Sequence, residues 1–449
     1  MNKSNSNESN GSFNVGERQL TERLFKALSS RLNKTKDEEI INSHMEKVDG
    51  RVYMFDLYFP KGISNLDLPE KSAIELKLNL LTNSICRFNE VAKSWKKENP
   101  SAKLILLYNE GSLFNNKVPD GIDFEIEELS KYLEHLDNIE PLNDSVEQKE
   151  RTWQEERKEI IRRAKLSFNT NRITLFLGAG VSQDAGGPSW NELLYKSAKE
   201  LGAIRCDCDF DLINKACSNS SIIMGRYIVP DDKKGTFTEY LHDNILYKNV
   251  KIDESALINE ICEIVSRKSV ESIITYNYDN LMEQALARKG VQVQQIFKKD
   301  RTTKDTIPVY HIHGYIPQHI ISDKPGSCFS TPVISEKQYH EIYREAYHWS
   351  NVEQLHALDR NVCVFIGLSM TDPNLRRLLD ISQNEADNSH HFAFLKREKS
   401  YMCPKGESFN NSLLKNIENQ LDDMGVSVIW FEEYKEVPML LKEICKEIK

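Results

Sequence analysis

Short apolar runs alternate with longer segments of helical pattern through the second half of the chain. The first run begins at Ile173 and leads through a glycine-rich turn into a segment with apolar residues at helical spacing. The later runs are SIITYNYD, PVYHIHG, NVCVFIGLS, HHFAFLK and VSVIWF. Strands that alternate with helices predict a parallel sheet with helices on both faces. We therefore expect an α/β domain here.

A glycine-rich turn directly follows the first apolar run. It begins at Gly178 with the sequence GAGVSQDAGGPSW. In α/β proteins such a turn brings backbone N–H groups to a phosphate at the start of a helix, but glycine equally serves a tight structural turn. The turn alone leaves both interpretations open.

The pattern divides the chain into four segments. At 449 residues it is too long for one ordinary hydrophobic core. Residues 1–14 are rich in Asn and Ser and predict a disordered tail. Residues 15–123 mix helical and strand patterns and predict a smaller α/β domain. Residues 124–162 are highly charged and predict a solvated helical linker, and residues 163–449 carry the alternating strands and helices.

Composition narrows the class of protein. Hydrophobic residues make up 39% of the chain and charged residues 28%, which is typical of a globular protein. No apolar run approaches the ~20 residues of a membrane-spanning helix. The N-terminus lacks the basic start and apolar middle of a secretion signal, so we expect a cytoplasmic protein without membrane contact. The net charge of -9 provides no overall attraction to nucleic acid.

The nine cysteines contain no CxxC pair. Cys206 and Cys208 are close in sequence, but a CxC without a second pair of ligands is not the spacing of a structural zinc site. We predict no zinc.

Glycines and polar residues follow four of the predicted strands. These clusters are Gly178 to Ser182, Thr275 to Asp279, His313 with Gly314, and Gly367 to Ser369. Ligands of parallel α/β sheets bind beyond the carboxyl ends of the strands, so we expect the clusters to converge on one crevice. His311 precedes His313 by two residues on the same strand face and competes with it. We favour His313 because Gly314 follows it, and we predict a structural role for His311.

The motifs GAGVS, TYNYD, HG and GLS resemble those of the SIR2 (sirtuin) family and occur in the order of that family over residues 163–449. The resemblance implies a Rossmann-like fold that binds NAD⁺. It assigns contacts with NAD⁺ to Gly178, Ala179, Gly180, Ser182, Thr275, Gly367 and Ser369. It places Asn277 and Asp279 at the nicotinamide and ribose end, and it implies that His313 is the catalytic base.

Cleavage of the bond between nicotinamide and ribose explains why these residue types are suitable. The reaction passes through an oxocarbenium-like state, as glycoside cleavage does, so the site must organise an attacking group on one face of the sugar. A neutral His313 can accept a proton from a ribose hydroxyl or from an activated nucleophile near pH 7. Asn277 can orient the ribose or a water without adding charge.

Two departures distinguish this chain from the protein-deacylating sirtuins. Those enzymes continue the glycine motif into Ile-Pro-Asp-Phe-Arg, whereas this chain reads PSWNELL from Pro188. They also carry two zinc-binding Cys pairs, which are missing here. PSWNELL, ISEKQY at Ile334 and DPNLRRLL at Asp372 resemble divergent prokaryotic SIR2-like proteins that hydrolyse NAD⁺, many of them effectors of antiviral defence. In DPNLRRLL we predict that Asp372 caps a helix starting at Pro373.

The resemblance therefore predicts a NAD⁺ glycohydrolase that releases nicotinamide and ADP-ribose, linear or cyclised. Unrestrained NAD⁺ loss would be toxic, so we expect control by homo-oligomerisation, a partner protein, nucleic acid or a small signal. Three alternatives stay open. The chain could be a nuclease or nucleic-acid-binding protein whose SIR2-like half senses NAD⁺ or ADP-ribose, an NAD⁺-dependent protein deacylase, or a non-catalytic interaction protein.

The first domain contains an acidic strand and an ExK strand. YMFDLYF carries Asp56, and SAIELKLNL carries Glu75 and Lys77 on one face. This arrangement resembles the PD-(D/E)xK nuclease fold, with Glu22 as a further acid on a helix. The resemblance implies Mg²⁺ held by Asp56 and Glu75, with Lys77 steadying the attacking water. A domain that kept the fold without the chemistry would instead bind nucleic acid, a partner or a neighbouring subunit.

Overall fold

The computed structural model shows two compact units. The first spans Met1–Glu150 and the second Arg151–Lys449. The structure describes residues 17–33, 37–49, 51–77, 82–108, 121–139, 152–229, 234–319, 330–345, 347–385, 391–398 and 407–446. The tail predicted at residues 1–14 lies outside these ranges.

The first unit is a mixed sheet with helices on both faces. Its elements are α1 (Glu17–Ser29), β1 (Ile41–Val48), β2 (Arg51–Phe59), β3 (Ser72–Lys77), α2 (Thr82–Glu98), β4 (Leu104–Tyr108), β5 (Glu125–Glu128) and α3 (Leu129–Asp137). In the described residues the sheet has five strands in the order β1-β2-β3-β4-β5. The pairs β1–β2 and β2–β3 are antiparallel, while β3–β4 and β4–β5 are parallel. This agrees with the predicted smaller α/β domain.

Alternation along the strands of the first unit produces two separate cores. Leu57 and Ile74 point to the side of the sheet that α1 and α3 cover. Phe55 and Leu104 point to the other side, where they pack with Trp95 of α2. Successive side chains of a strand point to opposite faces, so each strand contributes to both cores.

The segment predicted as a charged linker is divided between the two units. Its first part forms β5 and α3, and Leu129, Leu133 and Leu136 of α3 are buried in the first unit. Its last part begins the helix α4 (Trp153–Thr170) of the second unit, which buries Ala164 and Phe168. In α3 and α4 every charged side chain except Arg163 is at least partly exposed. A narrow buried face is a weak signal in so charged a sequence.

The second unit alternates strands and helices along most of its length. Its elements after α4 are β6 (Ile173–Leu177), α5 (Ala179–Asp184), α6 (Trp190–Glu200), α7 (Asp207–Ala216), α8 (Ser221–Ile228), α9 (Lys234–Tyr240), α10 (Ala256–Arg267), β7 (Val270–Thr275), α11 (Leu281–Arg288), β8 (Val293–Ile296), β9 (Ile307–His311), α12 (Glu336–Arg344), α13 (Trp349–Arg360), β10 (Val362–Ile366), α14 (Pro373–Glu385), β11 (His391–Lys396), α15 (Glu407–Asp422), β12 (Val426–Phe431) and α16 (Glu436–Ile444).

The strands of the second unit form the predicted parallel sheet. Within the described residues the sheet has seven strands in the order β12-β11-β10-β6-β7-β9-β8, and every neighbouring pair is parallel. Leu175 and Val364 belong to the core on one face, and Phe176 and Phe365 belong to the core on the other. A sheet buried on both faces needs nearly continuous apolar strands, which explains the runs in the sequence. The short polar strand β8 was not predicted.

Two further observations concern the helices. None of the helices in the described part of the chain combines the length and apolar composition that a bilayer crossing requires. Cys206 and Cys208 are joined by a disulfide at the start of α7.

Candidate active site

Four neighbouring strands of the parallel sheet end at the same level. In the pairing register Ile366 lies beside Leu177, Leu177 beside Thr275, and Thr275 beside His311. These residues are the last of β10, β6, β7 and β9. The motifs that follow the four strands therefore meet at one edge of the sheet, as predicted from the sequence.

Glycines allow the turns after β6 and β10 to pack directly against each other. The N–H of Gly178 donates to the carbonyl of Ile366 and the N–H of Gly180 donates to the carbonyl of Gly367, both at 3.0 Å. A Cβ atom at Gly178 would lie 2.5 Å from the Gly367 carbonyl oxygen. The two glycine N–H groups are thus used within the protein. Of the two interpretations of this turn, the contacts of these glycines fit the tight structural turn. The N–H groups of Gly178 and Gly180 are not directed at a phosphate.

A chain of hydrogen bonds fixes the side chain of Asn277. Its Nδ2 donates to the Gly178 carbonyl at 3.0 Å and to Ser182 Oγ at 2.8 Å. Ser182 Oγ in turn donates to Asp279 Oδ2 at 2.7 Å. Since the hydroxyl hydrogen of Ser182 is used on Asp279, Ser182 can only accept from Asn277. The amide oxygen of Asn277 accepts no hydrogen bond from the described residues and can bind a hydroxyl or a water.

Asp279 is a buried acid within this network. Burial raises its pKa above the usual 3.8, and the hydrogen bond from Ser182 opposes that shift. Its Oδ1 accepts the backbone N–H of Leu281 at 3.2 Å. Asp279 therefore anchors Ser182 and the start of α11.

His313 lies in the turn beyond the end of β9. Its side chain packs edge-on against Tyr276 and Tyr339, with ring centroids at 4.7 and 5.3 Å, and the residue is 7% exposed. No described residue makes a hydrogen bond with its ring nitrogens. Burial lowers the pKa of His313 below the usual 6.5, although the charge of Asp372 opposes the shift. The imidazole is therefore neutral at pH 7 and can accept a proton.

His311 has a different environment. Its Nε2 lies 2.6 Å from Glu283 Oε1, and its Nδ1 lies 3.1 Å from the backbone carbonyl of Asn277. Both ring nitrogens are thus engaged, which agrees with the predicted structural role. The expectation that His311 and His313 share a strand face is wrong, because β9 ends at His311 and the chain turns before His313.

Tyr339 and Asp372 extend the site in a way that the sequence did not predict. The hydroxyl of Tyr339 donates to Asp372 Oδ2 at 2.6 Å, beside the ring of His313. Asp372 Oδ1 accepts the N–H of Leu375 at 2.8 Å, which confirms the predicted helix cap before Pro373. Tyr339 ends the ISEKQY motif, so a sequence signal existed, but it carried no indication of the contact with His313.

The remaining predicted contacts lie around this edge of the sheet. Thr275 is buried, and its hydroxyl accepts the N–H of Asn277 at 3.1 Å. Ala179 is half-buried at the start of α5. Gly367 adopts a φ of +70°, and Ser369 is exposed and pairs with Thr371 Oγ1 at 2.6 Å.

The first unit brings Asp56, Glu75 and Lys77 together on adjacent strands. Lys77 Nζ lies 3.1 Å from Glu75 Oε1, and Asp56 Oδ2 accepts the N–H of Leu76 at 2.7 Å. Burial raises the pKa of Glu75 to about 8; Lys77 opposes this shift and Asp56 adds to it. Glu75 Oε2 is buried without a hydrogen-bond partner among the described residues. The side chain of Glu22, on α1, lies outside the described part of the chain.

Comparison with known proteins finds a match to the SIR2-like domain within the second unit. The family model of the SIR2-like domain matches residues 271–429, which include the TYNYD, HG and GLS motifs. The NAD(+) hydrolase ThsA of Enterococcus faecium is 26% identical over 309 residues, covering 65% of this chain and 59% of that protein. The NAD(+) hydrolase ThsA of Acinetobacter baumannii (strain 532279) is 24% identical over 312 residues, covering 66% of this chain and 58% of that protein.

This chain spans less than two thirds of the length of those curated relatives. A solved structure described as "Structural Basis for the Mechanism and Regulation of Sir2 Enzymes" covers 63% of this chain and 96% of its own, at 11% identity and a TM-score of 0.31.

Proposed function

Because this chain carries a SIR2-like domain, we propose that it is an NAD⁺ hydrolase that cleaves the bond between nicotinamide and ribose. The similarity to proteins named as NAD(+) hydrolases supports this activity. The environment of His313 carries the proposal. Its imidazole is buried and neutral, and its ring nitrogens make no hydrogen bond with the described residues. It lies at the same edge of the sheet as Asn277.

The residues of this edge have separate roles in the proposed reaction. The bond from nicotinamide nitrogen to the anomeric carbon breaks, and its electron pair leaves with nicotinamide, which becomes neutral. Water adds to the anomeric carbon and loses a proton, which His313 accepts directly or through a ribose hydroxyl. The amide oxygen of Asn277 orients the ribose or the water. Ser182 and Asp279 hold that amide in place.

NAD⁺ contacts outside the reacting bond are part of the same proposal. We assign them to the residues of the two packed turns and their neighbours, which are Gly178, Ala179, Gly180, Ser182, Thr275, Gly367 and Ser369. The N–H groups of Gly178 and Gly180 donate to backbone carbonyls of the protein. We therefore propose that these glycines act through their lack of a side chain, which lets NAD⁺ lie close to the backbone.

Consumption of NAD⁺ by the purified protein tests the activity. Chromatography should show loss of NAD⁺ with release of nicotinamide, and His313→Ala should abolish both. His356→Ala is the matched control. His356 is exposed and lies close to Arg172 and Glu271, at the amino ends of β6 and β7, whereas the candidate site lies at the carboxyl ends of these strands. An active His313→Ala protein would overturn the assignment of the base.

The biological setting proposed for this reaction is a cytoplasmic effector of antiviral defence. Depletion of NAD⁺ stops the metabolism of a cell, so the activity must be restrained until a signal arrives. We propose a homo-oligomer whose activity depends on assembly, a partner protein or nucleic acid. Measuring NAD⁺ consumption with and without added DNA or RNA, together with the molar mass of the protein in solution, distinguishes activation by nucleic acid from activation by assembly.

A second candidate activity is supported by the first unit, where Asp56 and Glu75 would hold Mg²⁺ and Lys77 would steady an attacking water. Two carboxylates provide the oxygen ligands that Mg²⁺ prefers, and the unpartnered Glu75 Oε2 fits this donor set. Bound Mg²⁺ would polarise a phosphate. Magnesium-dependent cutting of DNA, lost in Asp56→Ala and kept in His313→Ala, would support a nuclease, whereas binding without cutting would leave the unit a nucleic-acid or partner module.

A further inference from the structure

Both ring nitrogens of His311 lie within hydrogen-bonding distance of an oxygen atom. Its Nδ1 lies 3.1 Å from the backbone carbonyl oxygen of Asn277, and a carbonyl oxygen can only accept. Nδ1 must therefore carry a hydrogen. Its Nε2 lies 2.6 Å from Glu283 Oε1. The two residues are 1% and 3% exposed, so the contact between them is made away from bulk water.

The contact between His311 and Glu283 requires one proton. Either His311 is an imidazolium and Glu283 a carboxylate, or His311 is neutral and Glu283 is a carboxylic acid that donates to Nε2. Without this proton, two lone pairs would face each other at 2.6 Å in a buried place, which is costly. Both permitted arrangements have zero net charge.

We propose that Glu283 and His311 form a proton-sharing positioning pair for the active site, in which the shared proton keeps Nδ1 donating to the carbonyl of Asn277. This role rests on the proposed NAD⁺ hydrolase function. The pair restrains the backbone of the residue whose side chain contacts Gly178 and Ser182. We assign neither member of the pair a contact with the substrate. They act by holding Asn277, much as outer residues orient the ligands of a metal.

The neutrality of the pair matters for the acid nearby. Burial is the main reason that the pKa of Asp279 is raised; the charge of Glu283 adds to this shift and His311 opposes it. A variant that removes His311 alone leaves an uncompensated carboxylate close to Asp279. Replacement of Glu283 by Gln leaves no charge, because the Gln amide can donate to Nε2 of a neutral His311. Charge and geometry can therefore be varied separately.

Four variants test the pair through the kinetics of NAD⁺ hydrolysis. Glu283→Gln should keep kcat within about twofold, because both hydrogen bonds of His311 survive. Glu283→Leu leaves Nε2 unpaired and should lower kcat roughly 10- to 100-fold with a smaller change in KM, since misplacement of a reacting group affects the chemical step. His311→Asn keeps a donor near Asn277 but strands the Glu283 carboxylate, and it should lower kcat similarly. Adding Glu283→Gln to His311→Asn should restore most of that loss.

Thermal unfolding of each variant distinguishes a loss of folding from a loss of positioning. Equal losses of kcat in Glu283→Gln and Glu283→Leu would overturn the pair, as would a double variant no better than His311→Asn. If Glu283→Leu does not fold, the comparison of His311→Asn with the double variant still decides.

NMR of ¹⁵N-histidine-labelled protein shows which ring nitrogens of His311 carry a hydrogen, and it needs no substrate. His311, identified by the signal lost in His311→Asn, should carry a hydrogen on Nδ1 in the natural protein and in Glu283→Gln. A bare Nδ1 would overturn the pair even if NAD⁺ is hydrolysed. Conversely, a natural protein that consumes no NAD⁺ would refute the proposed function, and the ring spectrum would still decide whether the pair exists.

Discussion

The backbone N–H of Gly180 donates to the carbonyl oxygen of Gly367 at 3.0 Å, so two turns that are 187 residues apart in sequence lie in direct contact. A Cβ atom at Gly367 would lie 2.7 Å from the backbone nitrogen of Val181, and Gly367 has a φ of +70°. Both the space and the backbone conformation at this position therefore require glycine.

Gly367→Ala is expected to lower the free energy of unfolding by roughly 2–4 kcal/mol, because it combines a left-handed backbone with a clash. Gly202→Ala is the matched control, since Gly202 has a φ of +73° and a Cβ atom added there would meet no described atom within 4 Å. The control should cost about 1 kcal/mol. Chemical denaturation of both variants measures the difference. Equal losses would show that close approach of the turns is not what Gly367 provides.

The rate of the proposed NAD⁺ hydrolysis should depend on pH through His313. A base must be unprotonated to act, and burial lowers the pKa of His313 below 6.5, so kcat/KM should be level at neutral pH and fall only on acidification below 6.5. Asp372→Asn keeps a good helix cap but removes the charge that raises this pKa. The acidic limb of the profile should then move to lower pH. A shift to higher pH would contradict the assignment of the limb to His313.

Ser182→Ala should destabilise the protein because it removes the partner of a buried acid. Asp279 Oδ2 loses its hydrogen bond and Asn277 Nδ2 loses one of its two acceptors, with an expected cost of about 1–3 kcal/mol in the free energy of unfolding. Ser369→Ala is the control, since Ser369 is exposed and its side chain bonds among the described residues only to the Thr371 hydroxyl. Urea titration of the two variants compares them. A control as costly as Ser182→Ala would point to a general effect of losing a hydroxyl.

The stability of the first unit should fall as the pH rises, because of Glu75. Its pKa is about 8 in the folded protein and near 4.5 in the unfolded chain. Between these two pH values the folded state therefore holds a proton that the unfolded state has lost. The stabilisation is complete below pH 4.5 and is lost as the pH rises through 8, on the order of a few kcal/mol. Glu75→Gln should flatten this dependence.

Unfolding of the natural protein and Glu75→Gln at pH 6 and pH 9 measures the effect. Mg²⁺ favours the ionised carboxylate, so it should recover stability at pH 9 in the natural protein and not in Glu75→Gln. Parallel pH profiles of the two proteins would mean that Glu75 is not the group responsible.

Much of the architecture could be predicted from local patterns. The apolar runs at β6, β7, β9, β10, β11 and β12 were visible because a strand buried on both faces is apolar throughout. β8 was missed because it has the sequence VQQI, with polar residues at its centre. The segment 124–162, which contains α3 and the start of α4, was interpreted as a linker because charged residues outnumber the buried residues of these two helices.

The candidate site was predicted in part. The convergence of the four motifs followed from parallel strands ending at one edge. The preference for His313 over His311 stays a prediction; the two residues have different contacts, since His311 bonds through both ring nitrogens and His313 packs against aromatic rings. Tyr339 and Glu283 could not be assigned, because their roles depend on where a distant helix places one side chain. No local pattern encodes such a placement.

The sequence by itself determined the parallel sheet, the edge at which its motifs meet and the residue types available for chemistry, because periodicity, turn residues and motif order are properties of neighbouring positions. Only the tertiary structure decided that Gly367 packs on Gly180, that Glu283 engages His311 and leaves His313 available, and that Glu75 is buried beside Lys77. These outcomes depend on burial and on contacts between separate elements, and burial is the largest cause of the shifted pKa of His313 and of Glu75.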